Sequence, residues 1–432
     1  MKKNEIYEAE CLDVTNQGYG VVRIHQQVVF VPGLIKRESA KIRIVKVLKK
    51  YAFGKIEQMQ MISKDRIEPM CPYASQCGGC CFQHMAYPKQ LEIKTDYVRQ
   101  LFKRNHLDCT IKDTLGMKEP YYYRNKAQFP IQVIQDKVYM GFYRPHSNSI
   151  VDCDQCVIQS KPINEVYQYI KQHIQIESAK TLRHVLLRSN EQNQVQVVFI
   201  GKENHIDGLA KEIINAFSNV VSIVFNKNDR LDNVILGEDY TVLYGQDTMM
   251  QKCMSQDIQL HFKSFFQVNP KQMEVLYTQA INLARLSKED RVIDLYSGVG
   301  TIGCVIAPYV KKVTGVEIVS EAVENAKKNA QINQLSNINF ICQDASIFVQ
   351  NYTEETDVVF VDPPRKGLSE TGISHITRLD PKRIVYISCN PNTLVRDVKM
   401  FEASGFYCKV VQPVDMFCHT NGLECVCLLE AY

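Results

Sequence analysis

Residues 291–303, Arg-Val-Ile-Asp-Leu-Tyr-Ser-Gly-Val-Gly-Thr-Ile-Gly, decide the fold class of this chain. The apolar, β-branched start is typical of a buried parallel strand. The three glycines that follow fit Gly-x-Gly-x-x-Gly and indicate a tight turn into a helix, whose first amides can approach a ligand closely. Strand and helix patterns then alternate to the end of the chain, which predicts a parallel sheet. We therefore expect a Rossmann-like α/β domain over residues 263–432.

Acidic residues follow the successive strands of this domain. They are Asp294, Glu317, Asp344 and Asp362. Parallel strands bring such residues to one crevice, where ligands bind. A glycine turn with a downstream acid also fits NAD, but Asp294 would repel a pyrophosphate and could pair with a positively charged amino acid ligand. This favours S-adenosylmethionine, with Gly298 at the turn, Glu317 at the ribose and Asp344 at the adenine edge.

A thiol ends another strand of the same domain. Residues 384–392 read Ile-Val-Tyr-Ile-Ser-Cys-Asn-Pro-Asn, an apolar run that stops abruptly. Pro391 cannot continue a ladder, so Cys389 is expected at the carboxyl end of a central strand, facing the ligand crevice. A buried structural cysteine is the plainer alternative for this residue taken alone.

Composition limits the class of protein. The chain has 432 residues, a net charge of +4 and 16 cysteines. No apolar run of about 18 residues and no secretory signal is visible, so we expect no membrane span and a cytoplasmic location. So many cysteines suit a reducing compartment, where thiols serve ligation and chemistry. The mild positive charge permits a polyanionic partner without requiring one.

Residues 1–60 are predicted to form a small OB-like β-barrel. Five short apolar or alternating runs are separated by turn signals at residues 16–18 and 32–33, a pattern typical of a common oligonucleotide platform. Basic residues are frequent between Lys36 and Lys55. They alternate with aromatic residues that can stack on bases, namely Tyr19, Tyr51 and Phe53. We expect RNA binding here; a solvated basic face is the alternative.

A cysteine-rich loop follows the barrel. Its closely spaced thiols are Cys71, Cys77 and Cys80. The Gly78–Gly79 pair frees the backbone to wrap around an ion or cluster, so the loop is a strong metal-site signal. A fourth thiolate could come from Cys153 or Cys156. Four thiolates suit zinc or an iron–sulfur cluster, and ligand softness alone does not choose between them.

Residues 61–262 are expected to form a central α+β domain. A helix at about residues 88–115 is predicted to pack with the C-terminal domain. Two basic–aromatic segments, at residues 121–127 and 141–144, suit a face that stacks bases and contacts phosphates. A polar sheet edge explains these segments almost as well.

Together these features resemble the S-adenosylmethionine-dependent RNA uracil-5-methyltransferase family. The resemblance covers nearly the whole chain, including the TRAM-like barrel and the cysteine loop. Its other motifs are Tyr-Arg-Asn-Lys-Ala at 123–127, Phe-Phe-Gln-Val-Asn-Pro at 265–270, Asp-Pro-Pro-Arg at 362–365, Ser-Cys-Asn-Pro at 388–391, and Asp-Met-Phe-Cys-His-Thr at 415–420 followed by Glu424. The combination is specific, although no single motif is.

The resemblance implies a class I methyltransferase domain and two sets of ligand-binding residues. Its [4Fe–4S] cluster would be held by Cys71, Cys77, Cys80 and Cys156. Its cofactor positions match Gln267, Tyr296, Glu317 and Asp362. Thr301 stands where some relatives carry a contacting Asn, and the family's second His after His419 is Gly422 here, so no role for that His is carried over.

The resemblance also implies covalent chemistry at uridine C5. A Cys389 thiolate would attack C6, which turns the ring into an enolate that can take a methyl group from the sulfonium. Glu424 would remove the C5 proton, with a pKa raised by an enclosed site. We expect the local field to favour the Cys389 thiolate. Asp362 would orient substrate or cofactor, and the target base must leave its stack.

The expected substrate is a loop of 23S ribosomal RNA, because a TRAM-like barrel in this family goes mostly with ribosomal targets. The same reaction on a transfer RNA T-loop is the nearest alternative. Rivals of other kinds are a non-catalytic RNA-binding or chaperone protein that keeps the fold, and an enzyme that carries zinc instead of iron and sulfide. We expect no membrane contact and no obligate protein partner.

Overall fold

The N-terminal part of the chain is a curled six-stranded sheet, one strand more than the sequence predicts. The computed structural model describes residues 1–230 and 232–432. Alternation in these strands turns every second side chain inward, so residues such as Val29 and Ile42 are fully buried. The strands are hydrogen-bonded in the order β1-β5-β6-β4-β3-β2. They are β1 (Ile6–Glu10), β2 (Asp13–Val14), β3 (Tyr19–Ile24), β4 (Gln27–Pro32), β5 (Ser39–Val47) and β6 (Tyr51–Met61).

The middle of the chain forms a seven-stranded sheet covered by helices. Its order is β10-β9-β8-β11-β12-β13-β14, and apolar side chains of α2 and α4 pack on it. The elements from this stretch are α1 (Tyr87–Arg104), β7 (Thr110–Ile111), β8 (Lys126–Ile134), β9 (Lys137–Tyr143), β10 (Ile150–Asp152), α2 (Lys161–His173), α3 (Ile176–Thr181), β11 (Leu182–Ser189), β12 (Val195–Gly201), α4 (Asp207–Ala216), β13 (Val220–Lys227) and β14 (Tyr240–Gly245).

An antiparallel hairpin joins the two large sheets. It consists of β15 (Thr248–Cys253) and β16 (Gln256–His261) and is followed by α5 (Pro270–Ala284). Its inward residues, Cys253, Ile258 and Leu260, pack into the C-terminal core. The C-terminal unit therefore begins at the hairpin, earlier than the boundary at residue 263 that the sequence suggests.

The C-terminal unit is an eight-stranded, mostly parallel sheet with helices on both faces. Its order is β19-β18-β17-β20-β21-β23-β22-β7, and β23 runs antiparallel between β21 and β22. The remaining elements are β17 (Arg291–Leu295), α6 (Thr301–Ile306), a 3₁₀ turn (Ala307–Tyr309), β18 (Lys312–Glu317), α7 (Ser320–Ile332), β19 (Ile338–Cys342), α8 (Ala345–Asn351), β20 (Val358–Val361), α9 (Glu370–Arg378), β21 (Arg383–Ser388), α10 (Pro391–Glu402), β22 (Phe406–Val414) and β23 (Glu424–Ala431). This is the α/β order that the sequence predicts.

Helix α1 crosses from the middle of the chain onto this C-terminal sheet. It ends at Arg104, well before the predicted limit near residue 115, and β7 then pairs in parallel with β22. Val98 and Phe102 of α1 belong to the core on one face of the sheet. The Lys94 ammonium lies 2.5 Å from an oxygen of Asp415, and both groups are buried. Since a buried charge is costly without its partner, this ion pair fixes α1 against the sheet.

None of the helices in the described ranges, 1–230 and 232–432, combines the length and apolar character that crossing a membrane requires.

Candidate active site

A cavity of about 990 Å³ opens at the carboxyl ends of the central strands. β17 has β18 on one side and β20 on the other, so this is the switch point at which open α/β sheets bind ligands. Residues from the glycine turn line it, together with Glu317 at the end of β18 and Asp362 just after β20. The cavity is large enough for a nucleoside-sized ligand.

The backbone of the glycine turn is shaped for close approach. Gly300 caps α6 with a φ of 80°, and an added Cβ would lie 2.5 Å from the Phe340 ring. Only glycine fits such a position. Tyr296, immediately before the turn, is held at a φ of 64°. A non-glycine residue in this region is strained, and such strain concentrates at functional sites.

Glu317 is fixed at the cavity wall by backbone amides. One carboxylate oxygen accepts a hydrogen bond of 3.0 Å from Gly298. The other accepts from Ile318 and Val319 at 2.8 and 2.9 Å. Three donors hold the acid at the mouth of the turn, in the position from which an acid can bind ribose hydroxyls.

Asp294 and Asp344 are not among the residues that line the cavity, so a cofactor contact from either one stays a prediction. Asp294 is fully buried and accepts a 2.9 Å hydrogen bond from the Gly303 amide, so it braces the turn from beneath. Burial, with the nearby charge of Asp362, raises its pKa to about 8. Asp344 caps α8 by accepting hydrogen bonds from Ser346 and Ile347. The other predicted cofactor residues, Gln267, Tyr296, Gly298, Glu317 and Asp362, line the cavity, as does Thr301.

Strand pairing brings Cys389 and Glu424 together. Ser388 at the end of β21 is paired with Cys425 at the start of β23. Because the two strands are antiparallel, the residue after Ser388, which is Cys389, lies next to the residue before Cys425, which is Glu424. The charges of Glu424 and Asp362 both act on the Cys389 thiol, and Asp362 is a wall residue of the cavity. Nucleophile and base candidates thus share one site.

The surroundings of Cys389 oppose its ionisation. Burial, reinforced by the carboxylates of Glu424 and Asp362, raises the pKa of the thiol to about 11, and Arg365 offsets only part of this. The expectation that the local field favours the thiolate is therefore wrong for the ligand-free protein. The sequence shows a strand end, but it does not show that two acids gather beside it.

Glu424 has the environment of a carboxyl group that holds a proton. It is only 3% exposed, and one of its oxygens has no hydrogen-bond partner in the described chain. Burial and the charge of Asp362 raise its pKa well above the usual range. Asp362 itself is partly exposed, and burial raises its pKa to about 7. Asp362 can therefore exchange a proton near neutral pH, whereas Glu424 keeps its proton in the ligand-free protein.

The loop after β21 is fixed from two sides. Asn390 caps α10 and donates a 3.1 Å hydrogen bond to the Arg365 carbonyl. Asn392 donates a 2.7 Å hydrogen bond to the Tyr97 hydroxyl of α1. These contacts hold the backbone on either side of Cys389, so the thiol stands on a rigid support.

Four residues of the cavity wall are not predicted as site residues from the sequence. Phe265 is 72% exposed and stands at the cavity edge, and Tyr240, His261 and Lys263 form the wall beside it. An exposed aromatic ring next to a cationic side chain suits an unstacked base and its phosphate. The Phe-Phe-Gln-Val-Asn-Pro motif was the only signal for Phe265, and no local pattern marks the other three.

The four thiols predicted to hold a cluster converge, although they belong to two separate segments. They are Cys71, Cys77, Cys80 and Cys156. Burial raises the pKa of Cys80, and charges on the other three thiols act in the same direction. Such mutual effects require sulfur atoms at short range, and Cys71, Cys80 and Cys156 also border one apolar cluster. The donor set fits a site for a soft metal or an iron–sulfur cluster.

Two other cysteines near this site face elsewhere. The Cys153 sulfur lies 3.9 Å from the Tyr167 hydroxyl, and Cys81 packs against Ile35 and Phe82. Over residues 1–230 and 232–432, no group of three or more His, Cys, Asp or Glu side chains is placed so that it could hold a metal ion.

An aromatic cluster lies on the outer face of the N-terminal barrel. Tyr19, Phe30, Tyr51 and Phe53 are all at least partly exposed, and the ring centroids of Tyr51 and Phe53 are 5.6 Å apart. The side chains predicted from sequence to stack on bases therefore form one surface, to which the structure adds Phe30.

Comparison with known proteins agrees with this arrangement. The family described as tRNA (uracil-5-)-methyltransferase matches residues 86–432, and the TRAM domain matches residues 2–56. Proteins named uncharacterised RNA methyltransferase are similar over 99% of this chain: one from Oceanobacillus iheyensis (41% identity, 96% of its length) and one from Staphylococcus aureus (40%, 98%). The crystal structure of Pyrococcus abyssi tRNA (uracil-54, C5)-methyltransferase in complex with S-adenosyl-L-homocysteine is similar with a TM-score of 0.76, at 26% identity, over 98% of this chain and 99% of that one. This chain belongs to the tRNA (uracil-5-)-methyltransferase family, and it is an RNA methyltransferase of the uracil-5 type with an N-terminal TRAM domain.

Proposed function

We propose that this enzyme transfers a methyl group from S-adenosylmethionine to C5 of a uridine in RNA through a covalent Cys389–C6 adduct. The observation that carries the proposal is the meeting of Cys389 and Glu424 at adjoining strand ends, beside the cavity wall residue Asp362. Gln267, Tyr296, Gly298 and Glu317 line the part of the cavity next to the glycine turn, which suits the cofactor.

Each proposed residue acts on a defined atom. The Cys389 thiol loses its proton to solvent, and the resulting thiolate bonds to C6, which leaves an enolate whose C5 takes the methyl group. Glu424 then accepts the proton from C5, and the electron pair of that C–H bond reforms the ring double bond and expels the thiolate. When bound, S-adenosylmethionine supplies the methyl group. Asp362, with a pKa near 7, can accept or donate a hydrogen bond to the uracil edge and so orient the ring.

We further propose that the uridine lies in a 23S ribosomal RNA loop, on the strength of the TRAM barrel. A transfer RNA uridine is the second candidate. It is supported by the Pyrococcus abyssi enzyme, which is named a tRNA methyltransferase and whose structure is similar over 98% of this chain. A transfer RNA substrate is therefore also compatible with this overall fold. The exposed Phe265 fits either substrate, because in both cases the target base must be unstacked.

Cys71, Cys77, Cys80 and Cys156 are proposed to hold a [4Fe–4S] cluster. The support is the proximity of four thiols from two segments and the softness of thiolate ligands. The cluster would link the segment after the barrel to the segment after β10 and so stabilise the central domain. Anaerobically purified protein should contain about four irons and four sulfides per chain; stoichiometric zinc without sulfide would refute the assignment.

The decisive experiment supplies purified enzyme with labelled cofactor and either a 23S fragment or a tRNA transcript. Label should enter one of the two RNAs as 5-methyluridine at one or two mappable positions. A C389A variant should give neither product nor a denaturant-stable RNA–protein adduct, whereas C109S, at a partly exposed cysteine that does not line the cavity, should behave as wild type. Methylation at full rate by C389A would overturn the covalent mechanism, and RNA binding without methylation by the wild type would favour a non-catalytic role.

A further inference from the structure

Cys109 and Cys408 face each other across two neighbouring parallel strands. β7 pairs with β22 so that Thr110 lies opposite Val410. An irregularity in β22 between Cys408 and Val410 shifts the register there, and bulges of this kind re-aim side chains. The two sulfur atoms are 2.6 Å apart, which approaches the disulfide bond length of about 2.05 Å.

A small second pocket reaches Cys109 from solvent. It has a volume of about 290 Å³ and is lined by Phe102, Lys103, Leu107 and Cys109, among other residues. Cys109 is partly exposed, whereas Cys408 is only 2% exposed. A reagent from solvent therefore meets the Cys109 sulfur first, and the Cys408 sulfur waits directly behind it.

We propose that Cys109 and Cys408 form a reversible thiol–disulfide site that a small-molecule disulfide oxidises through this pocket. The Cys109 thiolate attacks one sulfur of the reagent, which forms a mixed disulfide and releases one small thiol. The Cys408 thiolate then attacks the Cys109 sulfur, which forms the Cys109–Cys408 bond and releases the second small thiol. Two protein thiols are oxidised, one external disulfide is reduced to two thiols, and the protons pass to those thiols.

The site joins two parts of the chain that are distant in sequence. Cys109 and Cys408 are separated by 299 positions. Cys109 lies in the segment between α1 and β7, and Cys408 lies near the start of β22. A disulfide bond between them would link the segment between α1 and β7 covalently to β22 of the C-terminal sheet. Closing so long a loop restricts the unfolded chain strongly, so the oxidised protein should be the more stable form.

The pair is built for slow oxidation. The hydrogen bond that Cys109 shares with Cys408, together with burial, raises the pKa of the Cys109 thiol. The pKa of the Cys408 thiol is raised as well, so few thiolates of either residue are available at neutral pH and both steps are slow. The second step needs no further encounter with a reagent, because the partner sulfur is already in place. Cys427, whose sulfur is 3.5 Å from Cys408, is fully buried and lies behind the pair rather than in the pocket.

The test is oxidation of the full-length protein by oxidised glutathione, followed by acid quenching, alkylation, digestion and mass spectrometry. We expect a Cys109–Cys408 cross-linked peptide to form over minutes to hours and to disappear with dithiothreitol. In an unreduced denaturing gel the closed loop should migrate faster. The melting temperature should rise by about 5 °C on oxidation. A C109S variant should lose the cross-link, the mobility change and the thermal shift together.

The matched control is C342S, since Cys342 is an exposed cysteine with no thiol partner among the described residues. It should keep the cross-link and the thermal shift. The proposal fails if Cys109 gains only bound glutathione while Cys408 stays free. It fails equally if Cys408 cross-links only to Cys427, or if oxidised wild type and oxidised C109S show the same thermal shift. Because Cys109 is partly exposed, C109S is expected to fold, and circular dichroism checks this.

Discussion

The thiol of Cys389 should be almost entirely protonated in the enzyme without RNA. Its pKa is raised from about 9 to about 11, first by burial and then by Glu424 and Asp362. A shift of two units corresponds to about 2.7 kcal/mol against the thiolate. At pH 7.5, about one molecule in three thousand carries the thiolate, compared with about one in thirty for an unshifted thiol, so the reactive form is about 100-fold rarer.

The rate of alkylation by iodoacetamide, followed for each cysteine peptide by mass spectrometry, measures this directly. A more basic thiolate is also a better nucleophile, and a Brønsted slope of about 0.5 recovers roughly tenfold of the loss. Cys389 should therefore react about tenfold more slowly at neutral pH than an unshifted thiol of equal access. Its rate should rise about tenfold per pH unit from pH 7 to pH 10. The exposed Cys342 in the same digest supplies the comparison.

Two outcomes would refute the reasoning. One is a rate for Cys389 that levels off below pH 8, and the other is Cys389 reacting faster than Cys342 at pH 7. A Glu424→Gln variant tests the cause. Removing that carboxyl should lower the pH midpoint of the Cys389 alkylation rate. Burial should still keep this midpoint above 9, because burial is the largest contribution to the pKa shift. An unchanged midpoint would show that Glu424 does not face the thiol.

Three further predictions concern the same site. Glu424→Gln should slow product release by about 10²–10⁴-fold, because proton removal follows methyl transfer. The methylated covalent adduct should therefore accumulate, and a denaturing gel should show it. Loss of the adduct together with the product would contradict this order. Asp294→Asn should remove a pH dependence of unfolding, because the folded protein keeps the Asp294 proton that the unfolded chain releases. Between pH 4 and pH 7 the free energy of unfolding of the wild type should fall by about 4 kcal/mol relative to the variant, as measured by denaturant melts. If the unfolding free energies of the two proteins change with pH in parallel, Asp294 does not hold a proton in the folded state. Phe265→Ala should weaken RNA binding by about 1–3 kcal/mol in filter binding while leaving cofactor binding unchanged, and an equal loss of both would indicate a structural role.

The C-terminal fold could be predicted because its signals are local. The Gly-x-Gly-x-x-Gly turn depends on the backbone freedom of glycine, and the apolar strands around it reflect burial on both faces of the sheet. Each signal can be recognised from residues that are neighbours in the sequence. The position of β23 between β21 and β22 is a long-range pairing. It places Glu424 beside Cys389, and only the family resemblance pointed to this from the sequence.

Two differences between the sequence-based expectations and the structure share one physical cause, which is burial set by distant parts of the chain. Asp294 was expected to meet the cofactor, but α6 closes over it and uses it to hold the Gly303 amide. The Cys389 thiolate was expected to be favoured, but two acids from other strands surround it. Desolvation depends on the assembled fold, so a strand-end pattern gives the location of a group and leaves its ionisation undetermined.

Three acids in or near this cavity have a common consequence for the order of events. Asp294, Asp362 and Glu424 all have raised pKa values, and the charge of Asp362 contributes to the shifts of the other two. With nothing bound, the site therefore limits its own negative charge by keeping protons. A cationic ligand such as a sulfonium would reverse this preference and favour ionised carboxylates. Cofactor binding would then help to set Glu424 in the form that can accept the C5 proton, so the base becomes competent only when the methyl donor is present.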